Sequence, residues 1–189
     1  GLSVAAYDGV DGTPFCRLNL NWVELGPEAN LLGGNLAQTA LSEAVTLARF
    51  AAAAEILGVC EAAFSETLDY LRLREQFGRT LNRFQALQHR ASDLYVELEM
   101  LRSLVIGAAI ALEDRGPGAA RTDVLAALSY AIPTGDLIGR EAIQMHGAIG
   151  MTRDLGIGRF LMRANVLSKV FGDLAQIEGE LADAIEVPR

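Results

Sequence analysis

The sequence predicts a mainly helical fold, an antiparallel helical bundle with a short β remnant at its N-terminus. Three observations predict it. Of the 189 residues, 51% are hydrophobic and Ala is abundant, a composition suited to a packed core rather than to disorder. Long stretches without internal breakers follow one another through short connections, and such helices pack antiparallel. Strand-like alternation is confined to residues 13–24, and so little β-structure leaves its own edges unpaired.

In residues 13–24, Cys16, Leu18, Leu20 and Trp22 share one face, and Arg17, Asn19 and Asn21 the other. That is the period of a half-buried strand. Residues 26–34, GPEANLLGG, read as a turn or loop. A first helix is expected over 39–73, rich in Ala and Leu and free of Pro. Residues 74–84 connect it around Gly78 to a second helix over 84–113. There Leu87, Leu94, Leu98, Leu101 and Val105 recur at steps of three, four or seven, on one face. EDRGPGAAR, 113–121, reads as a break. A third helix is expected over 120–146, bent at Pro133, which lacks a backbone donor. A glycine-rich turn, a short helix over 157–164 and a last helix over 173–186 complete the chain.

The formal net charge of −8 argues against a general nucleic-acid surface. Cys16 and Cys60 stand far apart, outside any CxxC pattern, and read as small buried hydrophobes in a reducing, cytoplasmic setting. The longest apolar stretch, 47–64, is broken by Arg49, Glu55 and Glu61, so no membrane span is expected. No leader segment is recognisable. The chain opens at Gly1 within a strand-like region, and the expectation is a piece of something longer.

Arg72, Arg74 and Arg79 surround Phe77-Gly78. Cations at a helix C-terminus suit its dipole. The sharper reading is an anion site, with forked bonds from Arg74 to a phosphate and Phe77 against a flat ring. Gln85 and Gln88 lie one turn apart and suit either a polar ligand or solvent. His146 reads as a helix-end cap, and no His or Cys stands at metal-ligand spacing. Gly147, Gly150, Gly156 and Gly158 form neither a P-loop nor a dinucleotide fingerprint.

These segments together resemble the C-terminal helical domain of the acyl-CoA dehydrogenase family. REQFGRTLNRFQALQ, 74–88, is similar to the family's Arg-x-x-Phe-Gly and Phe-Gln-x-x-Gln block. EAIQMHGAIGMTRDLGIGRFLMRANV, 141–166, is similar to its Gln-x-His-Gly-Gly block. LNLNWVELGPEANLLGG resembles the last strand of the family's middle β-domain and its exit. The resemblance implies residues 1–34 as the tail of that β-domain and 35–189 as the C-terminal bundle. It further implies FAD held between subunits of a dimer or tetramer. Arg74, Phe77 and Gln85 would meet its pyrophosphate and adenosine side, Gln144 and Gly147 would line the same part, and Gln176 would join the cofactor set. Arg49 matches an arginine near the acyl-CoA channel.

The family's reaction removes a proton beside a thioester, and this needs a carboxylate base. The usual Glu position falls on Gly172, with Leu174 where a flavin-contacting Thr belongs. The alternative base position is Ala48, and Ala148 replaces the second glycine of the usual pair. Gly172 could still offer its N–H to a thioester oxygen. The resemblance therefore implies a subunit without its own base, working beside a homologous catalytic subunit on a bulky acyl-CoA such as a steroid thioester. Asp173 as a substitute base, and a helical interaction module without cofactor, are the alternatives. Asp173 also suits a helix cap.

Overall fold

The structure, a computed structural model, describes residues 1–152 and 155–185. The N-terminal segment is an antiparallel hairpin of β1, Leu2–Asp8, and β2, Pro14–Leu20, paired from Leu2 opposite Leu20 to Asp8 opposite Pro14. The alternation finds β2, but it overshoots its end and misses β1. Trp22 takes a φ of 50°, which stops the strand. Leu18, Leu20 and Trp22 are exposed, and so is Cys16, against the expectation of a half-buried face and a buried thiol. Among the described residues, no element of the bundle covers that face. Cys60 is buried, and burial pushes its thiol up to about 12.

Helix α1 runs Gly34–Leu73, five residues earlier than expected. At 40 residues it is about 60 Å long. A small hairpin of β3, Glu75–Gln76, and β4, Arg79–Thr80, separates it from α2, Gln85–Ala119. The expected break at 113–121 shrinks to a kink within α2: Gly116 adopts φ 75° and ψ 168° just before Pro117. Helix α3, Arg121–His146, carries Pro133 with no non-helical residue inside it. Helix α4, Gly158–Val170, exceeds its expected end by six residues, and α5 spans Leu174–Ile185. Residue 186 of the expected last helix lies outside the described residues.

Helix α3 is the centre, packed against α1, α2, α4 and α5. Val124, Leu125, Leu128, Ala131 and Ile138 on it are sealed, and they meet Ala53, Ile56 and Cys60 of α1 and Leu98 and Leu101 of α2. The predicted α2 face is real, since Leu94, Leu98, Leu101 and Val105 are buried and Leu87 packs at its margin. The N-terminal hairpin is held to the bundle by charge. Arg163 of α4 donates to Asp11 and Thr13 of the hairpin turn and to Glu55 of α1. The Arg163 guanidinium and the Thr13 bonds hold the Asp11 carboxyl at about 2, against the opposing pull of its burial. None of the helices is long and apolar enough to cross a membrane, among the described residues.

Candidate functional site

Two arginine-centred regions hold the residues singled out in the sequence. The first lies at the end of α1. Arg74 ends the helix by leaving α geometry at φ −75° and ψ 126°, while its N–H still donates to the Tyr70 carbonyl at 2.9 Å. Its own carbonyl accepts from the Leu81 N–H at 2.8 Å, which closes the small hairpin. The turn residues Phe77 and Gly78 have φ of 54° and 75°. A two-residue hairpin with both central φ positive is the type I′ arrangement. The Phe77 ring is 91% exposed and meets Phe84 edge-on at 6.2 Å. The Arg79 guanidinium lies 4.1 Å over the Phe84 ring.

Among the described residues, five Arg or Lys side chains lack a carboxylate partner: Arg17, Arg74, Arg79, Arg83 and Lys169. Three of the five fall between residues 74 and 83, so this corner keeps a concentrated positive charge on an acidic protein. Arg72, in contrast, pairs with Asp69 at 2.8 Å. Gln85 opens α2 in an exposed position, and the Gln88 amide donates to the Asn82 carbonyl at 2.8 Å.

The end of α3 comes to the same end of the bundle. Tyr70 stacks on His146 at 4.3 Å between ring centroids, and its hydroxyl donates to the His146 carbonyl at 3.3 Å. His146 is 5% exposed, with Nδ1 at 2.7 Å from the Ala142 carbonyl. It is a buried ring bonded within the last turn of α3, where the sequence expected a helix-end cap. Gln144 and Gly147 are exposed beside it. Gly147 ends α3 at φ 68° and ψ −145°, a conformation for glycine, and a Cβ at this position would meet nothing within 4 Å. Tyr70 carries no motif of its own, although its place four residues before Arg74 was a usable signal. Residues 153 and 154 of the glycine-rich block lie outside the described residues.

The second region joins α1 to the loop between α4 and α5. Arg49 is buried, and its Nε–H donates to the Phe171 carbonyl at 3.0 Å. Its Nη1 and Nη2 donate to Glu180 Oε2 and Oε1 at 2.7 and 2.8 Å, a forked pair. Arg121 adds a bond to Glu180 Oε2 at 2.5 Å, and the Gln176 amide one to Oε1 at 3.0 Å. The Arg49 bonds, with lesser help from Gln176 and Arg121, hold the Glu180 carboxyl at about 2 despite its partial burial. Glu180 and Arg121 carry no motif and were missed.

Gly172 has φ 117°, and a Cβ there would lie 3.2 Å from Gln176 Oε1 and from Ile177 Cδ1. Asp173 caps α5: its Oδ1 accepts from the Gln176 N–H at 3.0 Å. Ala48 lines a cleft of about 430 Å³ with Phe15, Ala52, Val166 and Phe171. Positions 48 and 172 are thus bound into one frame through Arg49, the neighbour of the first and partner of the carbonyl before the second. No group of His, Cys, Asp and Glu able to hold a metal occurs among the described residues.

A helical bundle with a cationic hairpin at one end and a clamped loop on α1 defines the class. The profile for the C-terminal domain of acyl-CoA dehydrogenase matches residues 37–178, and the chain belongs to the acyl-CoA dehydrogenase family. It is 30% identical over 175 residues to 3-sulfinopropanoyl-CoA desulfinase of Paraburkholderia xenovorans, covering 89% of this chain and 43% of that protein. It is 31% identical to mitochondrial isovaleryl-CoA dehydrogenase of Pongo abelii, covering 84% of this chain and 37% of that one. Among solved structures, a variant of the Tcur3481-Tcur3483 steroid ACAD superposes with a TM-score of 0.83 at 32% identity, over 98% of this chain and 48% of that one. The ChsE4-ChsE5 complex of Mycobacterium tuberculosis superposes with a TM-score of 0.87 at 26% identity, over 100% and 50%. The chain therefore spans half or less of the length of these relatives.

Proposed function

We propose that this chain is the C-terminal bundle of an FAD-binding acyl-CoA dehydrogenase subunit, with residues 1–34 as the end of its middle β-domain. The observation that carries this is the hairpin end, where three arginines without carboxylate partners among the described residues surround the exposed Phe77 and the half-buried Phe84. A diphosphate joined to an adenosine needs forked cations beside a flat apolar face. Gly147 adds a backbone that another molecule can approach closely. These residues fit the pyrophosphate and adenosine side of FAD. Arg74, Phe77, Gln85, Gln144 and Gly147 would hold that side of a cofactor bound chiefly by a neighbouring subunit, and Gln176 would approach it from the first turn of α5.

Bound FAD supplies the acceptor for a hydride from an acyl-CoA. This chain offers no carboxylate at position 48 or 172, and Asp173 is engaged as a cap. We therefore assign proton abstraction to a homologous catalytic subunit in a heteromeric assembly. The resemblance to two complexes of paired chains supports that assignment, and one of them, named a steroid ACAD, supports a bulky acyl group. The cleft beside Ala48 is lined mainly by apolar side chains, with Thr13 and the Glu55–Arg163 ion pair also on its wall, and its apolar part suits such a group.

The visible absorption of the protein purified with its homologous partner tests this reading. A flavin band is expected, and Arg74→Ala should weaken FAD retention by about tenfold, the loss of roughly one charge-assisted bond. A complex without flavin sinks the reading. Turnover of an acyl-CoA by this chain without the partner, abolished by Asp173→Ala, would transfer the base to Asp173.

A further inference from the structure

We propose that the Glu55–Arg163 pair, at the far end of the cleft beside Ala48, selects acyl groups that carry a neutral hydroxyl. The cleft of about 430 Å³ is walled by the N-terminal hairpin, α1 and α4. On α1, Ala48, Ala52 and Glu55 follow at steps of four and three, so they share one face. Seven residues of helix set the first and the last about 10 Å apart. Ala48 stands where the acyl-CoA reading above sets the carbon beside the thioester, and Glu55 brings a carboxylate to the other end. Between them the floor is alanine methyl groups, and Phe15 and Val166 face it from β2 and α4. A ring fits along this face with its outer edge at the ion pair.

The pair is held in place and still has bonding capacity. Arg163 Nε donates to Glu55 Oε1 at 2.6 Å, and Nη1 donates to Asp11 Oδ2 at 2.8 Å and to Thr13 Oγ1 at 2.9 Å. Arg163 Nη2 and Glu55 Oε2 make no hydrogen bond among the described residues. The side chains of Glu55 and Arg163 are 46% and 30% exposed, so a ligand in the cleft can reach both. Thr13 offers no further proton, since its hydroxyl donates to Asp11 Oδ2 at 2.8 Å. A hydroxyl accepts one bond and donates another, which matches an unengaged N–H beside an unengaged carboxylate oxygen. A ketone matches only the first. Two carboxylates and one guanidinium leave the cluster net negative, and a carboxylate on the ligand is repelled. The position of the thioester rests on the acyl-CoA reading, whereas the chemistry of the pair does not.

The test is titration calorimetry on the FAD-loaded complex with its homologous partner. Substitutions are made in this chain only, so a difference between parent and variant belongs to this cleft. The probes are cyclohexylvaleryl-CoA, the analogue with a hydroxyl on the ring carbon opposite the chain, and the analogue with a carboxylate there. In all three, sulfur replaces the carbon from which a hydride would leave, so they bind without being oxidised. The hydroxyl analogue should bind about tenfold tighter than the plain ring, the contribution of one hydrogen bond to a charged group. The carboxylate analogue should bind more weakly than the plain ring. Glu55→Met leaves Arg163 its Asp11 partner and should remove the hydroxyl preference from this chain's sites. Where Glu55→Met yields no complex with a flavin band, Glu55→Gln is read instead, and the preference should fall at least about threefold. A ratio of two affinities is not moved by a general loosening of the fold. Equal binding of the hydroxyl and plain analogues overturns the assignment. So does a variant that keeps the parent's preference, or a carboxylate analogue that binds best. Binding of none of the three overturns the acyl-CoA reading along with it.

Discussion

Arg49 lies within α1 and Arg74 caps its end, twenty-five residues on, and the two face opposite circumstances. Arg49 is buried, with every nitrogen engaged by the chain itself. Arg74, with Arg79 and Arg83, stands at an exposed hairpin without a carboxylate among the described residues. Composition weighs both alike, as Arg on an Ala-rich helix. The difference is in what the folded chain leaves over. An arginine paired within its own chain stabilises or orients, whereas a cluster of unpaired arginines on a protein of net charge −8 is available to an anion from outside.

The two regions should respond with very unequal losses of stability, and this is the largest difference expected. Glu180→Ala leaves the Arg49 cation buried without its counter-ion, and breaking such a pair costs about 3 kcal/mol. Arg74→Ala should move stability by less than about 0.5 kcal/mol, as surface changes do. Urea unfolding of the full-length protein measures both, and equal losses would erase the distinction between the two regions. The acid limb has a defined sign. Glu180 is depressed in the fold from 4.5 to about 2, so its contribution is complete above pH 4.5 and is lost as the pH falls towards 2.

A mid-sized effect separates the two positions without a base. Gly172→Glu forces a side chain onto φ 117°, against Gln176 and Ile177, and should cost about 2 kcal/mol. Ala48→Glu places its carboxylate on regular helix beside an open cleft and should cost less than about 1 kcal/mol. Thermal unfolding of the two variants decides this. If Gly172→Glu proves the milder change, the loop has no preference for glycine, and the positive φ is not a constraint.

Much of the bundle was legible because helices announce themselves over long windows. The buried face of α2 follows from Leu94, Leu98, Leu101 and Val105 alone. Strand β1 was not, because LSVAAYD carries no clean alternation. Pro133 in α3 and Gly116 in α2 mark the chain differently. Pro133 lost one donor and the helix continued, while Gly116 supplied the positive φ that turned the chain ahead of Pro117. Of the candidate sites, the motifs flagged Arg74, Phe77 and Gln144, but nothing local flagged Glu180 or Arg121. Glu180 pairs with Arg49 and Arg121, which stand 131 and 59 residues before it, and a pairing set by tertiary packing leaves no period in the sequence.

The smallest predicted effect bears on why a phenylalanine occupies a left-handed turn position. Type I′ turns favour Asn-Gly, because Asn tolerates positive φ and Phe does not. The Phe77 ring is almost wholly exposed, so its edge-on contact with Phe84 offsets little of that strain. Phe77→Asn should therefore stabilise the chain by about 0.5 kcal/mol, the relief of the turn less a weak aromatic contact. FAD retention by the complex should fall at the same time. A residue that costs stability and improves retention is strained for the sake of a ligand. Destabilisation by Phe77→Asn, or retention left intact, would make Phe77 an ordinary part of the hairpin and leave the arginines alone to carry the cofactor reading.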